Sequence, residues 1–129
     1  MKKEELRRAL TAAVTAARSA GRVMRKNLHA PKIVNEESQH DIKLELDVRC
    51  QKLIERTLRR AFPALALLGE EGESGAVASA CRWVVDPIDG TVNYAHTMPH
   101  AAVSIALQVR TNAAQARRVR DAAPVPARA

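Results

Sequence analysis

"WVVDPIDGTVNYAH", Trp83 to His96, decides how this chain is read. An apolar run, Trp83-Val84-Val85, ends in two aspartates, Asp86 and Asp89, with Pro87 between them and Gly90-Thr91 after them. The run predicts a buried strand, so both carboxylates leave it into a low-dielectric neighbourhood where like charges repel. Something positive has to hold them. Standing alone, Asp-Pro-x-Asp-Gly is an ordinary turn, because Asp, Pro and Gly are turn formers.

A second stretch shifts the balance from turn to site. Leu65-Ala66-Leu67-Leu68 is another short apolar run, and it ends in Gly69-Glu70-Glu71. If the two strands are neighbours, Glu70, Glu71, Asp86 and Asp89 gather at one edge of a sheet. Four carboxylates there require a compensating cation. Oxygen donors with no His or Cys among them favour Mg²⁺ or Mn²⁺ over Zn²⁺. Pro87 stiffens the turn, and the Ile88 carbonyl can point the same way as the two aspartates. Gly90 lets backbone approach a ligand closely. A helix starting at Thr91 would offer free N–H groups to an anion such as phosphate. A cation beside a phosphate cradle points to phosphoryl chemistry.

The rest of the chain supports one domain. Residues 3–28 carry apolar or small side chains at helical steps, namely Leu6, Leu10, Val14, Ala17, Gly21, Met24 and Leu28, and predict a long amphipathic helix. Its Lys and Arg residues lie largely off that stripe and read as a solvated face. Pro31 closes the element, and residues 32–41 read as a loop or short edge segment. Ile42, Leu44 and Leu46 alternate with charged residues and predict a half-buried strand. Asp47 would then cap a second helix running to about Ala61. Residues 72–80 read as loop, and Val103 to Val109 as a further strand.

Composition narrows the function classes. The 129 residues carry a net charge of +7, unevenly spread. Residues 1–108 hold 16 Lys and Arg against 13 Asp and Glu, whereas residues 109–129 hold five Arg against one Asp. The last stretch is rich in Ala, Arg and Pro, offers little to bury, and is expected to lack regular structure. It also lacks aromatics for base stacking, so nucleic acid is disfavoured as a partner. Cys50 and Cys81 form neither a metal nor a redox pattern and read as reduced thiols. No apolar run reaches the ~18 residues of a membrane span. A soluble cytoplasmic protein is the default expectation. His96 and His100 stand four apart, but Pro99 between them argues against a helical metal clamp.

With these residues set out, "LGEEGE" (68–73) followed by "WVVDPIDGTVNYAHTMPHAAVSIAL" (83–107) closely resembles the inositol monophosphatase family of Mg²⁺-dependent, lithium-sensitive phosphatases. "HDIKLELD" (40–47) resembles, more loosely, the family's strand leading to an aspartate, with Asp47 at the matching place. The resemblance covers about residues 4–109. It implies an α+β, layered αβαβα sugar-phosphatase-like fold represented by its N-terminal portion, with residues 110–129 as a basic tail. It implies a phosphomonoester hydrolase working by two-metal activation of water, with Mg²⁺ as cofactor and a small phosphate monoester as substrate. Glu70, Asp86, the Ile88 carbonyl and Asp89 would bind metal, Asp89 bridging two ions. Glu70 and Thr91 would be catalytic, the Thr91 hydroxyl pairing with Glu70. Glu70, Ile88, Asp89, Gly90 and Thr91 would line the substrate, Gly90 and Thr91 through backbone N–H groups. Asn93 would steady the helix start, and Glu71 and Asp47 would be supporting carboxylates. The family domain is about twice this length, and its second half supplies a Trp-Asp metal motif not found here. The chain is therefore expected to be either a phosphatase, active or inactivated by truncation, or a non-catalytic fragment that binds metal or a partner. A homodimer is admitted.

Overall fold

The computed structural model describes residues 1–129 except 38–41, 71, 76–79, 112–114 and 125–129. Ten elements follow in order. They are α1 (Lys3–Asn27), β1 (Val34–Glu37), β2 (Ile42–Leu44), α2 (Glu45–Ala61), β3 (Ala66–Gly69), β4 (Gly72–Ser74), β5 (Cys81–Asp89), α3 (Thr91–Ala95), β6 (Ala102–Thr111) and β7 (Gln115–Pro124). A five-stranded sheet runs in the order β4-β3-β5-β6-β7, and β1 and β2 form a separate antiparallel ribbon. Within the larger sheet only β3 and β5 are parallel; the other pairs are antiparallel. The helices α1 and α2 pack on each other, α1 lying over β6 and β7 and α2 over β5.

The core sits between these helices and one sheet face. Trp83 and Val85 of β5 and Val103, Ile105 and Leu107 of β6 point into it, meeting Met24, Ile54 and Leu58 from the helices. Alternation along β5 and β6 leaves Val84, Asp86, Ala102, Ser104 and Gln108 on the opposite, partly exposed face.

Four expectations are corrected. The stripe predicted along residues 3–28 is buried at Ala17, Gly21, Met24 and Leu28 but not at Leu10, which is 44% exposed; the rest of the buried face of α1 is alanine, Ala9, Ala12, Ala13, Ala16 and Ala20. Small side chains let α1 lie close to its neighbours, and that proximity outweighs the burial of larger residues. The alternating stretch 42–46 breaks early: β2 ends at Leu44 and α2 starts at Glu45. Asp47 is thus three residues inside the cap rather than on it, and its Oδ2 accepts the Leu44 N–H at 2.8 Å. Residues 72–74, read as loop, form β4 and complete a hairpin with β3. The stretch 110–129, expected to lack structure, contributes the end of β6 and all of β7, paired in register from Ala102↔Pro124 to Thr111↔Gln115. Strand pairing uses backbone N–H and C=O groups that almost every residue carries, so a strand that offers little to a core can still close the open edge of β6. Pro124 stands at the end of this edge strand, where its missing N–H is tolerated.

Candidate functional site

The carboxylates of the opening motif meet through a local irregularity. Asp86 and Asp89 are three apart, and in a regular strand they would face opposite ways. The β5–β6 register runs Asp86↔Ser104 and then Asp89↔Ala102, so three steps on β5 answer two on β6. That extra residue is a β-bulge. Ser104 and Ala102 share a face, so Asp86 and Asp89 share it too. Pro87 sits inside the bulge, where a ladder N–H is not needed. Pro87 and Ile88 are buried, and Asp89 is exposed.

Asp86 is the strained member of the pair. Its Oδ1 is buried and, among the described residues, has no hydrogen-bond partner. Burial, and then the Asp89 charge, push the Asp86 carboxyl above its usual value, while a hydrogen bond from the Ile88 backbone pulls it back. A buried, unpartnered carboxylate oxygen beside a second carboxylate is the arrangement that a hard cation relieves. Mg²⁺ is commonly held by one or two carboxylates and several waters, so Asp86, Asp89 and the adjacent Ile88 carbonyl fit such an ion chemically.

Glu70 follows β3, which runs parallel to β5 with Leu68 opposite Val84. Glu70 stands in the turn that leads from β3 into β4. Among the described residues, no three His, Cys, Asp or Glu side chains stand together as a metal cluster. Glu70 instead lines a cavity of about 250 Å³ with Asp47, Gln51, Lys52, Glu55 and Glu73, between α2 and the β3–β4 hairpin. Glu71 lies outside the described residues.

Gly90 closes the strand and opens α3. It has φ 94° and ψ 38°, and a Cβ built there would lie 2.6 Å from the His100 carbonyl oxygen. The glycine is thus required by its own backbone and by a neighbouring chain segment. Asn93 bridges to the same carbonyl, its Nδ2 donating to His100 O at 3.1 Å. It ties α3 to the entry of β6 rather than capping the helix start.

Thr91 departs from its expected partner. Its hydroxyl donates to the Ile88 carbonyl at 2.8 Å and lies 3.4 Å from Asp47 Oδ1. Its single proton is thus directed to these oxygens rather than to Glu70. Asp47, 2% exposed, holds the start of α2 with one oxygen and approaches Thr91 with the other. Sequence reasoning placed Asp47 as a supporting carboxylate and missed this link, because 44 residues separate it from Thr91. Behind it, the Tyr94 hydroxyl donates to Met24 O at 2.7 Å. Burial, Cys50 and Asp47 push the Tyr94 phenol up to about 12. Burial and then Asp47 push the Cys50 thiol up to about 12 as well. Both therefore stay protonated at neutral pH. His96 and His100 are exposed and belong to no metal cluster.

The family model for the inositol monophosphatase family matches residues 5–115. The chain belongs to that family. The Nus factor SuhB of Pseudomonas aeruginosa is 39% identical over 106 residues, a match covering 78% of this chain and 39% of the relative. Inositol monophosphatase 1 of Solanum lycopersicum is 38% identical over 104 residues, covering 78% of this chain and 38% of the relative. The crystal structure of the extragenic suppressor protein SuhB from Bartonella henselae superposes with a TM-score of 0.72 at 34% identity, covering 78% of this chain and 40% of that one. The chain thus spans about two-fifths of the length of the relatives it matches and has the fold of their N-terminal portion. As an inositol monophosphatase family member it carries the family's acidic strand end on a sheet backed by α1 and α2. Among its described residues no helix is long and apolar enough to cross a membrane.

Proposed function

We propose that this chain carries the cation- and phosphate-binding part of a Mg²⁺-dependent phosphomonoester hydrolase of the inositol 1-phosphate phosphatase type. The observation that carries the reading is the Asp86–Asp89 pair, set on one face by the bulge, with an unpartnered buried oxygen on Asp86. Asp86, Asp89 and the Ile88 carbonyl hold the cation, with Glu70 at the neighbouring strand end. Bound Mg²⁺ would supply charge neutralisation for the phosphoryl oxygens and acidify a water. Glu70, an exposed carboxylate just past β3, would be the group to take a proton from a water held there. The first N–H groups of α3, from Gly90 and Thr91, face no carbonyl within their own helix and serve the phosphate. Thr91 is oriented for this by Ile88 and Asp47.

The test is phosphate release from inositol 1-phosphate with Mg²⁺, with Asp89→Asn as control. A loss of at least about 100-fold on substitution is expected for removal of a charge that serves the transition state. Release by the parent chain that Asp89→Asn leaves unchanged refutes the assignment.

A second reading is favoured by the absence, among the described residues, of a third carboxylate grouped with Asp86 and Asp89. In it the chain binds Mg²⁺ or a partner without hydrolysis. Calorimetry separates the two: Mg²⁺ heat that disappears in Asp86→Asn, with no phosphate release, selects the second reading. Absence of both heat and turnover in folded protein rejects the site altogether. Sedimentation of the purified chain distinguishes monomer from homodimer.

A further inference from the structure

The structure puts a basic groove on the side of the molecule formed by its two long helices. Arg8 of α1 reaches Phe62 just past the end of α2, and Cys50 of α2 faces the Ala20 carbonyl of α1, so the helices run antiparallel. At one end of their seam lies an open groove of about 470 Å³ with Ala12, Ala61 and Phe62 in its wall and Arg7, Arg8 and Arg60 around it. All three arginines are exposed, and among the described residues none of them makes an ion pair. Glu4, on the rim, is the one acidic lining residue. Arg18 and Arg22 on α1 and Arg56 on α2 are exposed as well.

Unpaired guanidinium forks over an apolar floor ask for a partner that brings carboxylates or phosphates together with something greasy. The aromatic content of the groove separates these possibilities. Neither α1 nor α2 contains an aromatic residue. Phe62 is covered by the Arg8 guanidinium 5.2 Å from its ring centre, and it meets Trp83 edge-on at 6.0 Å. No free ring is left to stack a base, which is what single-stranded nucleic acid requires for affinity. The apolar floor, in contrast, suits an aliphatic side chain, and arginine is enriched where protein partners meet.

We propose that this groove docks an acidic polypeptide segment that seats one aliphatic side chain on Ala12, Ala61 and Phe62 and sets its carboxylates on Arg7, Arg8 and Arg60. This goes beyond the phosphatase reading and does not depend on it.

The experiment uses the full chain and a fluorescein-labelled Glu/Asp-rich peptide carrying one leucine, followed by anisotropy. Saturable binding is expected. It weakens at least about tenfold in the Arg7→Glu, Arg60→Glu double variant and several-fold when the peptide leucine becomes serine. Arg25→Glu, at the far end of α1, changes it less than about twofold. Circular dichroism of each variant shows that both helices are kept. No peptide binding overturns the proposal. So does an equal loss in Arg25→Glu, which means diffuse attraction only. An oligonucleotide that binds as tightly as the peptide and fails in the same double variant overturns it in favour of nucleic acid.

Discussion

Replacing Gly90 by alanine tests whether the acidic strand end is built on a backbone constraint. Two effects act together. At φ 94° and ψ 38° an L-residue sits in left-handed backbone, which costs about 1–2 kcal/mol without glycine. The added Cβ also falls 2.6 Å from His100 O, a backbone atom that no side-chain rotation can move. Forcing such an overlap costs about 1–3 kcal/mol. The expected loss is therefore about 2–5 kcal/mol, a large part of the roughly 5–15 kcal/mol that holds a domain folded. In urea unfolding, with a slope of about 2 kcal/mol per molar, the midpoint falls by about 1–2.5 M. Asn tolerates left-handed backbone better than alanine but carries the same Cβ. Gly90→Asn should therefore regain only part of the loss. A change below about 0.5 kcal/mol in Gly90→Ala, or full recovery in Gly90→Asn, would falsify the account of this glycine.

Three further outcomes are expected. Ala16→Leu, at a position with no exposure on the α1 face, destabilises by about 1–3 kcal/mol; Leu10→Ala, on the exposed side, stays within about 0.5 kcal/mol, and chemical denaturation of the pair shows which face is buried. Tyr94→Phe leaves the buried Met24 carbonyl without its 2.7 Å donor and lowers stability by about 1–3 kcal/mol on the same assay. Asp86 binds its proton more tightly folded than unfolded, so in metal-free protein its contribution to stability declines as pH rises from its unfolded value near 4. Asp86→Asn therefore unfolds later than the parent at pH 7 without metal and loses the Mg²⁺-dependent rise in melting temperature; a variant and parent with parallel pH profiles contradict this.

Much of this was legible because it depends on local pattern. The apolar runs ending at Leu68 and Val85 gave strands that are indeed adjacent and parallel, with Leu68 opposite Val84. The long helical periodicity gave α1 to within a residue at either end. Its buried face was read correctly at Ala17, Gly21 and Met24 and wrongly at Leu10, because periodicity weighs leucine above alanine, whereas close helix packing reverses that order. The partner of Thr91 was not legible: Asp47 reaches it only once α2 folds beside α3. Nor was β7, since an edge strand owes its place to the backbone groups of its neighbour, and those leave no mark on composition.

The bulge between Asp86 and Asp89 constrains the length of the motif as well as its chemistry. Deleting either Pro87 or Ile88 gives a regular ladder in which Asp89 still meets Ala102 and keeps its side, at the loss of the bend that the bulge puts into the strand end. Inserting a residue instead turns Asp89 inward, toward the wall of Trp83, Val85 and Ile105, where an ion has no counter-charge. The shared side of the two acids thus survives a shortening and not a lengthening, so insertions here should be tolerated far less than deletions or exchanges of the side chain at Ile88.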